Sequence, residues 1–380
     1  MTQSWWTPSN SSRRVKRLRR IYNLKEGSQL DRYIREMRQL GVRPVRFLAE
    51  IGIVIGEYTP DHQSEIRLGK HPDVELVEPD LRITITEPYL NNSNSTSFAS
   101  PYVTVPWGVQ RVEAEKVWGR TKGKGIKIAV IDTGIDSEHP AIKPNFRGGV
   151  NILSPSSTPM DYNGHGTHVA GTISGRSSEM GIIGVAPKAS IYAVKAFNRK
   201  GSANLSDLLT AINWCIENNM NVINMSFGME KVSESLRHAI QVAHKKGIVM
   251  IAASGNQGLN GRIDYPARFP ETIAVMSVSM DNGISSFSNR GKGVDVAAPG
   301  EKIPSAWLNQ TKKEMSGTSM AVPHVSGIVA LILGLDNTLN PEQIRYLLLR
   351  TSRRIEAEDI GLVNAVQACK SLQKVARRSL

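Results

Sequence analysis

Ile126-Lys127-Ile128-Ala129-Val130-Ile131-Asp132-Thr133-Gly134-Ile135-Asp136 sets the reading of this chain. Its apolar residues come as a bounded run without polar alternation, as a strand buried on both faces requires. The run stops at a carboxylate and a turn glycine. Further bounded runs follow at Ser190 to Ala196, at Val222-Ile223-Asn224-Met225 and at Ile248-Val249-Met250-Ile251-Ala252-Ala253. Helical stretches separate them, for instance Ser206 to Asn219 and Ser233 to Lys246. Strand alternating with helix predicts an α/β fold, a doubly wound parallel sheet with its site at the carboxyl ends of the strands. No internal repeat is present.

Working outward from that pattern, four zones separate. Residues 1–20 form a polar, basic arm. Residues 21–86 are a compact alternation of short elements. Residues 87–104 form a linker, rich in Asn and Ser at its start and without Lys or Arg. Residues 105–380 carry the long α/β pattern. In the small zone, Ser28-Gln29-Leu30-Asp31 resembles a capping box opening a helix, with Leu30, Ile34, Met37 and Leu40 on one face and Gly41 ending it. Val45 to Tyr58 reads as two strands broken around Glu50 and Gly52. Thr59-Pro60 opens a second short helix, and Val74 to Val77 is a strand. With a first strand near Ile21 to Leu24, the order is that of a small α+β ferredoxin-like sandwich.

Composition bounds the function classes. Of 380 residues, 40% are apolar and 21% charged, which excludes wholesale disorder. No apolar stretch reaches 18 residues, so a membrane-spanning helix is not expected. Lys and Arg outnumber Asp and Glu by 47 to 34, a net charge of +13. The densest basic cluster, Arg13 to Arg20, is the pattern of a solvated arm. The excess charge forms no nucleic-acid-reading motif, so no nucleic-acid or membrane partner is expected. Two cysteines, Cys215 and Cys369, exclude a disulfide scaffold and permit a reducing compartment. The N-terminal charges follow a polar stretch and precede no apolar core, unlike a secretory signal. For a complete chain the expectation is the cytoplasm, with secretion the alternative.

Three stations could carry chemistry. Asp132 ends a buried strand. His165, in Asn163-Gly164-His165-Gly166-Thr167-His168, opens a helix between glycines. Ser319, in Ser316-Gly317-Thr318-Ser319-Met320, sits on a tight turn feeding the apolar helix Val325 to Leu335. Serine is a poor nucleophile until a neighbour takes its proton; imidazole does so near neutral pH, and a buried carboxylate fixes its tautomer. A helix start adds a backbone N–H and the positive end of the dipole for a developing oxyanion. Asn256, at another strand end, offers a side-chain donor. Each residue alone is more often a cap, turn or packing residue than a catalytic one. His165 and His168 could also be half of a metal site, but no compact set of further ligands adjoins them. All four stations falling at strand ends and helix starts favours the catalytic reading.

These residues carry a resemblance to the subtilisin family of serine proteases. It runs from Val105-Pro106-Trp107-Gly108 to Gly361-Leu362-Val363-Asn364-Ala365 and rests on the segments DTGID, NGHGTHVAGT, GVAP, ASGNQG, YPA and SGTSMAVPHVSG. The resemblance implies Asp132 as orienting carboxylate, His165 as general base and acid, Ser319 as nucleophile, and Asn256 with Ser319 as oxyanion donors. His168, His324 and Asp136 become structural neighbours. Residues 21–86 resemble the family's propeptide, implying a folding aid and intramolecular inhibitor. The implied protein is a monomeric serine endopeptidase acting on proteins or peptides through an acyl-enzyme and made as an autoinhibited precursor. The rival reading, a non-catalytic partner-binding relative, is disfavoured by the intact residue types.

The chemistry requires no cofactor, but the family often carries structural calcium. Here Ala141 stands where an Asp ligand is usual and Ser178 where an Asn is, too few oxygens for an ion wanting six to eight. Asp295 remains as a ligand for a weaker cation site. The resemblance also implies that Ser226-Phe227-Gly228 and Ala253-Ser254-Gly255 flank the primary specificity pocket, with Asp264 near its floor. A carboxylate there would favour Lys or Arg at the cleaved position. The absence of Lys and Arg between Arg82 and Arg111 argues instead for a broad apolar preference.

Overall fold

A computed structural model describes residues 18–58, 68–85, 105–355 and 358–375. The chain divides after Asp80 into two compact units. In the first, β1 (Leu18–Leu24), α1 (Leu30–Gln39), β2 (Arg43–Leu48), β3 (Ile53–Tyr58) and β4 (Val74–Pro79) follow one another. The four strands form an antiparallel sheet in the order β2-β3-β1-β4. Tyr22, Tyr33, Met37 and Val54 are buried together between sheet and helix. The helix expected from Thr59 and Pro60 lies outside the described residues.

The capping box expected at Ser28 does not form. Gln29 is the N-cap and makes no side-chain cap bond. Ser28 Oγ instead donates to the carbonyls of Lys25 (2.7 Å) and Asp73 (3.2 Å). The helix begins at Leu30, which puts Gln29 and not Ser28 in the capping position, and the shorter of the two serine bonds is the local one to Lys25.

The first unit ends at Asp80, six residues before the expected end of the small zone at 86, and the second begins at Leu81. Its first strand, β5 (Arg82–Thr84), pairs antiparallel with β11 (Ser202–Asn204), extended by Ile85 N to Gly201 O and Leu205 N to Leu81 O, both 2.8 Å. These backbone bonds reach 116 and 124 residues along the chain, so local composition carried no trace of them.

The short helix α2 (Trp107–Arg111) precedes β6 (Lys127–Asp132), β7 (Phe146–Asn151) and α3 (His165–Ser174). A hairpin of β8 (Arg176–Ser177) and β9 (Ile182–Ile183) leads to β10 (Ser190–Lys195). After β11 come α4 (Leu205–Glu217), β12 (Val222–Met225), α5 (Glu234–Lys245) and β13 (Val249–Ala253). Next are β14 (Thr272–Val278), β15 (Val296–Pro299), the hairpin of β16 (Ile303–Trp307) and β17 (Thr311–Met315), and α6 (Thr318–Leu333). The unit closes with α7 (Pro341–Thr351), β18 (Arg353–Ile355), β19 (Glu358–Leu362) and α8 (Ala365–Val375).

Nine of these strands make one sheet, β18-β19-β15-β14-β13-β12-β6-β10-β7, parallel except at the β18–β19 edge. From β6 the chain goes to the edge strand β7, returns to β10 beside β6, then crosses to β12 and winds outward to β15. Strand order therefore reverses beside β6, where a crevice opens at the carboxyl ends. All 16 residues of α6 are buried. That helix packs on β12 to β15 and against α3, and each buried Val, Leu or Ile in it stabilises the unit by about 1.5–3 kcal/mol. Among the described residues, no helix is long and apolar enough to cross a membrane.

Candidate active site

Asp132 is the last residue of β6, fully buried and paired in register with Lys195, the last residue of β10. Its Oδ1 accepts from Thr133 N at 2.7 Å. Both carboxylate oxygens receive His165 Nδ1, at 2.8 and 2.9 Å. A donor at Nδ1 leaves Nε2 as the basic nitrogen of a neutral imidazole.

His165 is the first residue of α3, and the turn before it is held on three sides. Asp161, itself buried, accepts from the backbone of Asn163, Gly164 and Thr167 and from the Thr167 hydroxyl at 2.7–3.0 Å. Gly164 has φ 107°, and a Cβ there would lie 2.4 Å from the Trp307 ring. No other residue fits that turn without moving the tryptophan. Lys195 Nζ donates to the Thr133 carbonyl. Burial pulls its pKa below the ordinary lysine value, against the attraction of Asp161 and Asp132.

Ser319 is the second residue of α6, so its N–H is among the donors that the helix cannot satisfy internally. Pro323, four residues on, has no N–H to give the Ser319 carbonyl. Ser226 Oγ takes that place at 2.9 Å, while Ser319 Oγ donates back to the Ser226 carbonyl at 3.0 Å. Asn224 Nδ2 donates to Ser226 Oγ, and Ser326 Oγ donates to Asn224 Oδ1, each at 2.9 Å. A buried polar chain thus ties the head of α6 to the end of β12. Asn256 Oδ1 accepts from Thr318 N and Thr318 Oγ1, both 2.9 Å. That fixes the carboxamide beside Ser319, with its NH2 on the side away from Thr318.

Of the residues expected in the site, Phe227, Gly228, Ala253, Gly255, Asn256, Asp264 and Ser319 line one pocket. Ser226 and Ser254 do not; their hydroxyls are spent beneath it, on the Ser319 and Asn289 carbonyls. His168 donates from Nε2 to the Ile303 and Lys313 carbonyls, and His324 from Nδ1 to the Met320 carbonyl. Asp136 closes a turn through Glu138 N. Asn224, Ser326, Asp161 and Lys195 were not singled out from sequence. A polar Asn inside the run Val222–Met225 and a Ser inside an apolar helix were signals for the first two.

The cation readings change. Asp295 is an ion-pair partner, not an open ligand: Oδ1 meets Arg345 Nη2 at 2.7 Å and Nε at 2.9 Å, and Oδ2 accepts from Ala274 N. The guanidinium already supplies the charge that a cation would bring. The calcium position implied by resemblance does not fit either, because Ala141 buries a methyl group where a carboxylate is needed and Ser178 is exposed.

The buried histidines predict a pH dependence. Burial pushes His168 down to about 3 and His324 down to about 4. The unfolded chain takes up these protons below about pH 6.5 while the folded chain refuses them. Their contribution is complete above that pH and is lost progressively as pH falls toward the folded values. Calorimetry on an inactive Ser319→Ala chain should show stability falling from pH 6.5 to 5, by about 1.4 kcal/mol per pH unit for each histidine. A flat midpoint over that window would contradict neutral, buried imidazoles.

Comparison with known proteins identifies the family. The model of the subtilase family matches residues 123–372. The chain is 40% identical over 271 residues to Subtilisin Savinase of Lederbergia lenta, covering 70% of this chain and 99% of that protein. It is 40% identical over 299 residues to Subtilisin E of Bacillus subtilis (strain 168), covering 77% and 74%. An Alkaline protease of Alkalihalobacillus alcalophilus is 39% identical over 302 residues, covering 78% and 77%. By its sheet, its motifs and these relatives, the chain belongs to the subtilase family and is a serine-type endopeptidase.

Proposed function

We propose that the chain hydrolyses peptide bonds through Asp132, His165 and Ser319 by way of an acyl-enzyme, and that it is made as an autoinhibited precursor. The observation that carries the first part is the buried hydrogen bond from His165 Nδ1 to Asp132. It orients the imidazole and stabilises the imidazolium formed when Nε2 takes the Ser319 proton. The Ser319 hydrogen first leaves the Ser226 carbonyl, a rotation about one C–O bond. Ser319 Oγ then adds to the substrate carbonyl, and the oxyanion is met by Ser319 N–H and the Asn256 amide. Collapse expels the amine, which takes its proton from His165; water repeats the sequence in reverse on the ester. A fluorophosphonate should label the wild-type chain and not Ser319→Ala, and equal labelling of both would sink this assignment.

The precursor reading is supported by β5. Arg82–Thr84 lies as an added strand on β11, with Ile83 buried against Ala203 and Arg82 and Thr84 exposed. Extended peptides are captured in this way on strand edges. Residues 81–85 then act as an intramolecular occupant of an edge meant for substrate. Parallel sheets made of distant strands also fold slowly, so an attached template has a physical use. Residues 101–380 refolded alone should recover activity slowly, faster with residues 1–86 added, and the addition should then inhibit. Prompt unaided recovery with no inhibition would remove the precursor role.

A further inference from the structure

The pocket beside Ser319 holds a carboxylate to which no cation among the described residues is paired. Asp264 is 3% exposed, and its Oδ1 is buried with no hydrogen-bond partner among the described residues. Oδ2 has a long 3.4 Å contact from Gln257 Nε2. Arg262, whose charge reaches it, is already paired to Glu230 at 2.9 Å. Burial raises the Asp264 carboxyl above its ordinary value. A buried carboxylate left in that state costs several kcal/mol unless a positive group meets it.

The backbone fixes where this carboxylate points. Asp264 N donates to the Ser254 carbonyl at 2.9 Å, and Tyr265 exchanges two 2.8 Å bonds with Met229. The residue is thereby pinned between the segments that follow β12 and β13, the two walls of the pocket. Both walls are glycine where the side chain passes. A Cβ on Gly228 would lie 2.9 Å from Asp264 Oδ2, and one on Gly255 would lie 2.6 Å from it. The carboxylate therefore sits between the walls, in the pocket that also contains Ser319 and Asn256.

We infer that Asp264 is the specificity-determining residue of this protease and directs it to cleave after Lys or Arg. The inference rests on the catalytic reading of Ser319. A substrate ammonium or guanidinium in the pocket meets the unpaired carboxylate, whereas an apolar side chain leaves it buried and unmatched. Discrimination then comes as much from rejecting Phe and Leu as from attracting Lys and Arg. The broad apolar preference expected from the linker composition is replaced by a basic one. A corollary is that residues 83–110, which contain no Lys or Arg, are a poor substrate for the enzyme itself.

The test uses the full chain and peptides identical except at the residue before the scissile bond, with Lys, Arg, Phe and Leu compared by kcat/KM. Lys and Arg should lead by at least tenfold, and Asp264→Asn should lower the Lys-to-Phe ratio by about 10²-fold. Fluorophosphonate labelling of the variant confirms that its Ser319 is still competent. Labelling with Phe or Leu preferred, or a ratio unmoved by Asp264→Asn, would overturn the assignment while leaving the protease reading intact. Absence of both labelling and cleavage in the wild type, whether or not residues 1–86 remain attached, would overturn the two together.

Discussion

Ser319→Ala should lower kcat by about 10⁶ with little change in KM, leaving a residual rate about 10³–10⁴ above water; these magnitudes are those of subtilisin itself, carried over to this relative. The loss should be chemical and not structural. The hydroxyl's hydrogen bond in the folded chain goes to the Ser226 carbonyl. The Ser319 carbonyl, orphaned by Pro323, stays bonded to Ser226 Oγ whatever side chain occupies 319. The head of α6 is thus held by backbone atoms that alanine retains, and one lost hydrogen bond costs about 1 kcal/mol. Steady-state kinetics beside thermal unfolding check both halves. A rate loss below about tenfold would show that another group is the nucleophile.

Asp132→Asn should cost about 10⁴ in kcat, through the wrong tautomer. Asp132 Oδ1 accepts from Thr133 N, so an asparagine at 132 would keep its oxygen there. Its NH2 would then occupy the place of Oδ2 and donate to His165 Nδ1, which lies 2.9 Å away. Imidazole accepting at Nδ1 carries its proton on Nε2 and has no lone pair for the Ser319 hydrogen. Single-turnover kinetics at saturating substrate would measure the loss, with KM near wild type. Activity within tenfold of wild type would mean that the carboxylate neither orients nor stabilises the imidazole.

Much of the large unit was legible because burial on both faces leaves a local trace. The runs at Ile126–Ile131 and Ile248–Ala253 became β6 and β13 within a residue or two. Helices expected at Ser206–Asn219 and Ser233–Lys246 became α4 and α5. In the small unit, two strands with a break at Glu50 and Gly52 became β2 and β3, separated by a 3-10 turn. What failed locally failed for a tertiary reason. Asp295 was read as an open oxygen donor and was taken by Arg345, 50 residues away. Ser226 was placed on a pocket wall, but Pro323 gives it a carbonyl to satisfy beneath the nucleophile.

The sequence by itself determined the layered α/β architecture, the family, and which aspartate, histidine, serine and asparagine stand at strand ends and helix starts. Those features follow from hydrophobic period and turn chemistry, which act over a few residues. Only the tertiary structure decided that Arg82–Thr84 joins β11, that Ser226 and Asn224 brace the head of α6, and that Asp264 lies unpaired between two glycine walls. The physical reason is that a carboxylate's or hydroxyl's role depends on which donors and acceptors arrive from distant chain segments. That partner list exists only once the sheet has closed around it.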